Sequence, residues 1–184
     1  VEDYTNVVDI GCSTGKLTQA LMEYNLEVVP DAKYVGVEVA EGFFKDLDKR
    51  DGKIQFVYDD VRNYHFENCS FVTSIFTLQF MSKKDRSKLI QDIYYGLNAG
   101  AGFIFAEKID CQNSRVQDMM TFNYYDYKRK KFDYDDIMTK EQTLRHMLKP
   151  NTWNEIESMV LDVGFKTVEP SWRNHNFVGA IAIK

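Results

Sequence analysis

Apolar runs alternate with helical stretches from residue 6 to residue 108, and this rhythm limits the chain to a narrow set of folds. Residues 6–10 (NVVDI), 34–39 (YVGVEV), 53–58 (KIQFVY), 71–76 (FVTSIF) and 102–108 (GFIFAEK) are rich in β-branched and aromatic residues and read as buried strands. Between them, residues 14–24 place Leu17, Ala20, Leu21 and Tyr24 on one side of a helix. Residues 41–48 and 83–97 are two further helices, the second ended by Asn98 and Gly100. Strands that are apolar on both faces and separated by helices require a parallel sheet covered on both sides.

After residue 108 the rhythm changes. Residues 113–147 are helical, rich in Tyr, Met and charge, and show no strand pattern, so a helical insertion is expected there. Residues 151–163 form another helix with Thr152 as its N-cap. Residues 165–171 and 177–183 are two strands joined by a short turn, expected as an antiparallel pair at the sheet edge. The chain of 184 residues, 44% hydrophobic, is long enough to bury one core, and a single domain over residues 1–184 is expected.

Charge and composition exclude several classes. A net charge of −5 repels a phosphate backbone, so direct nucleic-acid binding is not expected. The basic cluster Lys128-Arg129-Lys130-Lys131 reads as a solvated helix face. No apolar run is long enough to span a bilayer, and no signal peptide is visible, so no membrane partner is expected. Cys12, Cys69 and Cys111 are odd in number and lack metal-ligand spacing, which suits free thiols in the cytoplasm. His65, His146 and His175 are scattered, and neither a metal site nor a Ser-His-Asp set can be assembled.

The loop after the first strand, DIGCSTGKLT, resembles two nucleotide motifs and matches neither. A phosphate-binding loop needs four residues between its glycines and Ser or Thr after the lysine. Here three residues separate Gly11 from Gly15, and Leu17 follows Lys16. A dinucleotide fingerprint needs Gly where this chain has Ser13 and Lys16. What fits is strand, Asp9, x, Gly11, three residues, Gly15, helix: the pattern of an S-adenosylmethionine (SAM) site in class I methyltransferases. Glycine there lets the backbone approach the ligand, and Asp9 holds an ammonium group or orients the loop.

Two carboxylates support this. Glu38 stands at the end of the second strand, where a carboxylate accepts ribose hydroxyls. Asp60 follows the third strand, where it can accept from an adenine amino group while the Val61 N–H donates to the ring; Asp59 is the alternative carboxylate. The fourth strand ends Ser74-Ile75-Phe76-Thr77-Leu78-Gln79-Phe80, without the Pro-Pro or Pro-Cys signatures of base methylation.

With GCS in the first loop, DDVRNY after strand three, FTLQFM after strand four and IYYGLNAGAGFIFAEKI beyond it, the chain resembles the carboxy-S-adenosylmethionine synthases over essentially its whole length. The resemblance implies an α/β fold of the Rossmann-like class I methyltransferase type: a doubly wound, mostly parallel seven-stranded sheet with an antiparallel edge strand. It implies binding of SAM, carboxy-SAM or S-adenosylhomocysteine. It implies transfer of a carboxyl group derived from prephenate to the sulfonium methyl, with release of phenylpyruvate, for later modification of a transfer-RNA wobble uridine. Carried over by position, Gly11, Cys12 and Ser13 line the methionine part, Glu38 and Val39 the ribose, and Asp60 and Val61 the adenine.

Three departures from the family stand out. Ile75 replaces an asparagine that touches the ligand, and an apolar side chain supplies no hydrogen bond. The family arginine that holds the added carboxylate has its match at Glu141, beside Lys140, with Arg145 one turn on; a carboxylate there inverts the electrostatics. The family also has helices ahead of strand one that help cover the ligand; five residues precede that strand here, and whether such a segment belongs to the protein stays open. Two alternatives follow: an ordinary SAM-dependent methyltransferase with a small acceptor, and a non-catalytic partner subunit on the same fold. No catalytic side chain is assigned. The partner expected is a small molecule, prephenate by resemblance, and a homodimer is left open.

Overall fold

A computed structural model describes residues 1–50 and 52–184. Its strands and helices follow in chain order as β1 (Asn6–Ile10), α1 (Lys16–Asn25), β2 (Lys33–Val37), α2 (Phe44–Leu47), β3 (Ile54–Val57), β4 (Cys69–Ile75), α3 (Lys83–Gly96), β5 (Leu97–Asp110), α4 (Ser114–Lys128), α5 (Tyr134–Met147), β6 (Asn151–Thr152), α6 (Trp153–Val163), β7 (Thr167–Asn174) and β8 (Phe177–Ile183). The sheet runs β3-β2-β1-β4-β5-β8-β7, with the two-residue β6 paired to β5 off that path. β1 to β5 are parallel. β8 runs antiparallel to both β5 and β7, so the antiparallel pair lies at the edge and β8 is the reversed strand. This is the expected doubly wound α/β sheet with its seven main strands.

The order reverses beside β1, because β2 lies on one side of it and β4 on the other. Open α/β sheets bind ligands at such a switch point, outside the carboxyl ends of the strands. Val7 and Val8 of β1 alternate between the two faces. Val8 joins a core with Ile90 and Ile93 of α3 and Ile156 and Val160 of α6. Val7 packs with Met22 of α1, Tyr34 and Ile54. Asp9 is a charge in the middle of this apolar strand, 2% exposed. Its carboxylate accepts the Thr18 and Thr73 hydroxyls, both at 2.8 Å, which satisfies it where water cannot. Burial raises its carboxyl pKa above the usual range, and those two hydrogen bonds work against the rise.

Element ends differ from the sequence expectations for local reasons. The segment at 41–48 is a 3-10 turn, Glu41–Phe43, followed by a single α turn anchored by Leu47. β2 ends at Val37, because the Val39 and Ala40 amides turn away to the Glu38 carboxylate. α3 stops at Gly96, where a Cβ would lie 2.3 Å from Phe66 Cβ, and β5 starts at once with Leu97. The helical insertion is a pair, α4 and α5, capped by Asn113 and Asp133. α6 begins at the expected Thr152 with a full capping box: Thr152 Oγ1 accepts the Glu155 amide, and Glu155 Oε2 accepts the Thr152 amide. Among the described residues no helix is long and apolar enough to cross a membrane.

Candidate functional site

The carboxyl ends of β1 to β4 open into one cavity of about 700 Å³. The loop after β1 forms its floor. Gly11 has φ +66°, and its amide donates to the Val37 carbonyl at 2.8 Å. A Cβ on Gly11 would lie 2.2 Å from Thr77 Oγ1 of the turn after β4. Glycine is required twice over here, by the left-handed backbone and by the close approach. Gly15 (φ +70°) begins α1, and a Cβ there would press on Leu47 and Phe56.

Glu38 is the organising carboxylate. It is buried and lines the cavity. Oε2 accepts the Ser13 amide at 2.8 Å, and Oε1 accepts the Val39 and Ala40 amides at 2.9 and 2.8 Å. A carboxylate offers about four acceptor directions, so a direction remains for a ligand hydroxyl. Ser13 adopts φ +51° to make its contact, and Phe76, across the cavity, adopts φ +59°. Left-handed non-glycine residues cost about 1–3 kcal/mol each and persist where the surroundings over-determine them, as at ligand sites.

Asp60 lines the same cavity and caps the 3-10 turn Val61–Asn63. Its carboxylate accepts the Arg62 amide and the Arg62 Nε, both at 2.9 Å. The Arg62 side chain holds its carboxyl below the usual range. Arg62 Nη1 also reaches Asp85 at 3.3 Å, linking this loop to the start of α3. Asp59, the alternative carboxylate, accepts the Asn63 side-chain amide at 3.0 Å and also faces the cavity.

The structure brings Gly11, Ser13, Glu38, Val39, Asp60, Val61 and Ile75 to the cavity wall. Asp9, Cys12 and Gly15 stand behind it. Asp9 is 2% exposed, lies off the cavity wall and accepts the Thr18 and Thr73 hydroxyls, an arrangement that orients the loop. The Cys12 thiol is packed under Gly36, and burial pushes its pKa up to about 12, which makes it inert. Glu141, expected on the substrate side, is not among the residues that line this cavity. It lies between Lys128 (3.3 Å) and Lys108 (3.9 Å), which neutralise it. Lys140 and Arg145 are exposed and also lie off the cavity wall.

Sequence reasoning missed the far wall. Phe76, Phe80, Met81 and Met147 give it apolar surface, Thr77 and Ser82 add hydroxyls, Asp85 adds a carboxylate and Lys149 a cation. Among the described residues the Lys149 side chain has no carboxylate within ion-pair distance. The motif FTLQFM carried the signal for Phe76, Thr77, Phe80 and Met81. Lys149 carried only the weak one of a basic residue placed before Pro150, between the insertion and α6. Among the described residues, no His, Cys, Asp or Glu set groups in a way that could hold a metal ion.

A doubly wound sheet with a glycine loop at its switch point, a ribose-type carboxylate after β2 and no phosphate hook defines a SAM-dependent transferase of the class I methyltransferase type. Family comparison agrees: a methyltransferase-domain model matches residues 7–100. The carboxy-S-adenosyl-L-methionine synthase of Staphylococcus epidermidis is 35% identical, over 100% of this chain and 81% of that protein. The protein of the same name from Shewanella sp. is 29% identical, over 100% of this chain and 78% of its own length. The chain belongs to the carboxy-S-adenosyl-L-methionine synthase family. Among solved structures, an O-methyltransferase homologue from Nostoc punctiforme superposes with TM-score 0.68 at 18% identity, over 100% of this chain and 53% of that one, a likeness of fold.

Proposed function

We propose that the chain makes carboxy-SAM from SAM and prephenate, releasing phenylpyruvate, with the methyl proton of SAM and the ring hydroxyl of prephenate leaving as water. The observation that carries this reading is the composition of the cavity: SAM-type carboxylates and glycines beside an apolar cluster, with Arg62 paired to Asp60 and Asp85 and Lys149 as the lining cation without a carboxylate partner among the described residues. The residues present fit SAM. The Gly11–Ser13 backbone leaves room for the methionine part, Glu38 is pre-aimed by three amides for the ribose, and Asp60 with Val61 bounds the adenine side.

When bound, SAM supplies a sulfonium whose positive sulfur acidifies its methyl group, the carbon that gains the carboxyl group. The protein's part is orientation and exclusion of water. Ile75, Phe76, Phe80, Met81 and Met147 keep the methyl region dry. Lys149 offers a charge partner for the carboxylates of prephenate and of the product. A lysine holds them as a point charge rather than as the bidentate fork of an arginine. Glu141, neutralised by its two lysines, does not oppose them.

Incubation of the chain with SAM and prephenate, followed by mass spectrometry, tests the reading. The expected result is SAM bearing one added carboxyl group, with an equal amount of phenylpyruvate. SAM left unchanged and no phenylpyruvate would overturn it. A second reading, ordinary methyl transfer to a small acceptor, is favoured by Ile75, which offers no hydrogen bond at the ligand. That reading predicts S-adenosylhomocysteine as the product once an acceptor is supplied. In the first reading the product serves a later enzyme acting on transfer RNA in the cytoplasm, where the free thiols stay reduced.

A further inference from the structure

Glu107 and Arg86 are both fully buried, at 2% and 1% exposure. They are an acid and a base that lie near each other, yet among the described residues they form no direct ion pair. Each side chain is instead spent on the backbone of the turn after β4. Glu107 Oε1 accepts the Leu78 amide at 3.0 Å, and Oε2 accepts the Gln79 amide at 2.8 Å. Arg86 Nε donates to the Leu78 carbonyl at 3.0 Å. The turn is therefore gripped from both sides, its N–H groups by the acid and its carbonyl by the base.

The grip extends to Lys149. Arg86 Nη2 donates to the Lys149 carbonyl at 2.7 Å, and the Lys149 amide donates to the Gln79 carbonyl at 2.8 Å. Gln79 closes the network with its side chain, which accepts the Lys108 amide at 2.8 Å and donates to the Phe76 carbonyl at 3.3 Å. Residues far apart in sequence, from β5, α3 and the segment after α5, thus meet on the Leu78–Gln79 turn that follows β4. Burying an acid and a base without pairing them directly is expensive for a fold. What the arrangement achieves is a fixed turn that carries Phe76 at φ +59° and a fixed backbone at Lys149.

We infer that Glu107 is a positioning residue: through the Leu78–Gln79 peptide it holds the apolar wall and Lys149 as one unit and so sets the distance between the methyl-bearing end of the cavity and its cation. The inference rests on the proposed use of Lys149, and its test separates the two. Glu107→Gln keeps the shape but sets an amide N–H against one of the two backbone donors. Hydrogen exchange is measured on the Leu78, Gln79 and Lys149 amides of the full chain, with turnover of SAM and prephenate measured alongside. In the wild type the three amides open together with matching protection. In Glu107→Gln all three lose protection together, about tenfold, the equivalent of one lost buried hydrogen bond. The turnover number falls by about the same factor while the SAM KM stays within about twofold, and Glu107→Asp recovers part of the loss.

Unchanged protection at Lys149 while Leu78 and Gln79 open would overturn the inference, as would unchanged protection at all three. If Glu107→Gln does not fold, the wild type alone decides: matching protection at Gln79 and Lys149 supports the unit, and protection differing by more than about tenfold refutes it. A wild type that exchanges as one unit yet shows no carboxyl transfer sinks the proposed function and leaves the positioning intact.

Discussion

The Ser13 amide donates to Glu38 Oε2 at 2.8 Å, fastening the loop after β1 to the end of β2. Beside the Gly11 and Cys12 amides, which donate to the Val37 carbonyl, this bond joins the two segments expected to hold the methionine and ribose parts of SAM, so the two halves of the ligand site share one carboxylate. Its loss reaches beyond the ribose.

Glu38→Ala is expected to weaken SAM binding by about a hundredfold or more, because hydrogen bonds to a charged group contribute about 1.5–3 kcal/mol each. Titration calorimetry measures this directly. A loss below about threefold would remove Glu38 from the ribose role.

Gly11→Ala forces a Cβ to 2.2 Å from Thr77 Oγ1 at φ +66°. The expected cost is about 1–3 kcal/mol from backbone strain alone, with a lower melting temperature and weakened SAM binding. Gly42→Ala is the control: its Cβ meets nothing within 4 Å, and its melting temperature should hold.

Lys149→Met is expected to reduce carboxyl transfer from prephenate about tenfold or more while leaving SAM affinity nearly intact, and Lys149→Arg to retain or improve it. Glu141→Gln should leave both unchanged, since Glu141 is held by Lys128 and Lys108 away from the cavity. Steady-state kinetics on the three variants checks the assignment. A Glu141→Gln defect larger than that of Lys149→Met would reverse it.

Burial pushes the Glu107 carboxyl up to about 8 from its ordinary 4.5. A folded-state pKa raised in this way adds stability below the unfolded pKa, and that stability is lost as pH rises through the folded value. The wild type should therefore lose stability relative to Glu107→Gln as pH increases from about 4.5 to about 8. Urea midpoints of both proteins across this range test the sign. A gap that stays constant across this range would mean Glu107 is ionised throughout.

The order of strands and helices was legible because buried parallel strands have to be apolar on both faces and their crossovers have to be helical. Gly11, Gly15 and Glu38 were legible because their roles are local: a left-handed turn and a strand-end carboxylate are written in the few residues that make them. Asp9 was half legible. Its presence in the loop motif was plain, but that Thr18 and Thr73 would donate to it depends on a helix and on a neighbouring strand. Glu141 was legible only as the position that matches the family arginine; that Lys108 on β5 and Lys128 on α4 flank it shows only in the folded chain.

By itself, then, the sequence determined the fold class, the SAM-type loop and the family, since hydrophobic period, glycine spacing and short motifs all act over a few residues. The tertiary structure alone decided which groups line the cavity. Phe76 reaches it through a left-handed turn, and the Lys149 backbone is held beside it by Gln79 and by Arg86 of α3. Contacts between residues so distant in the chain are fixed by how the sheet and its helices pack, and no local pattern carries that information.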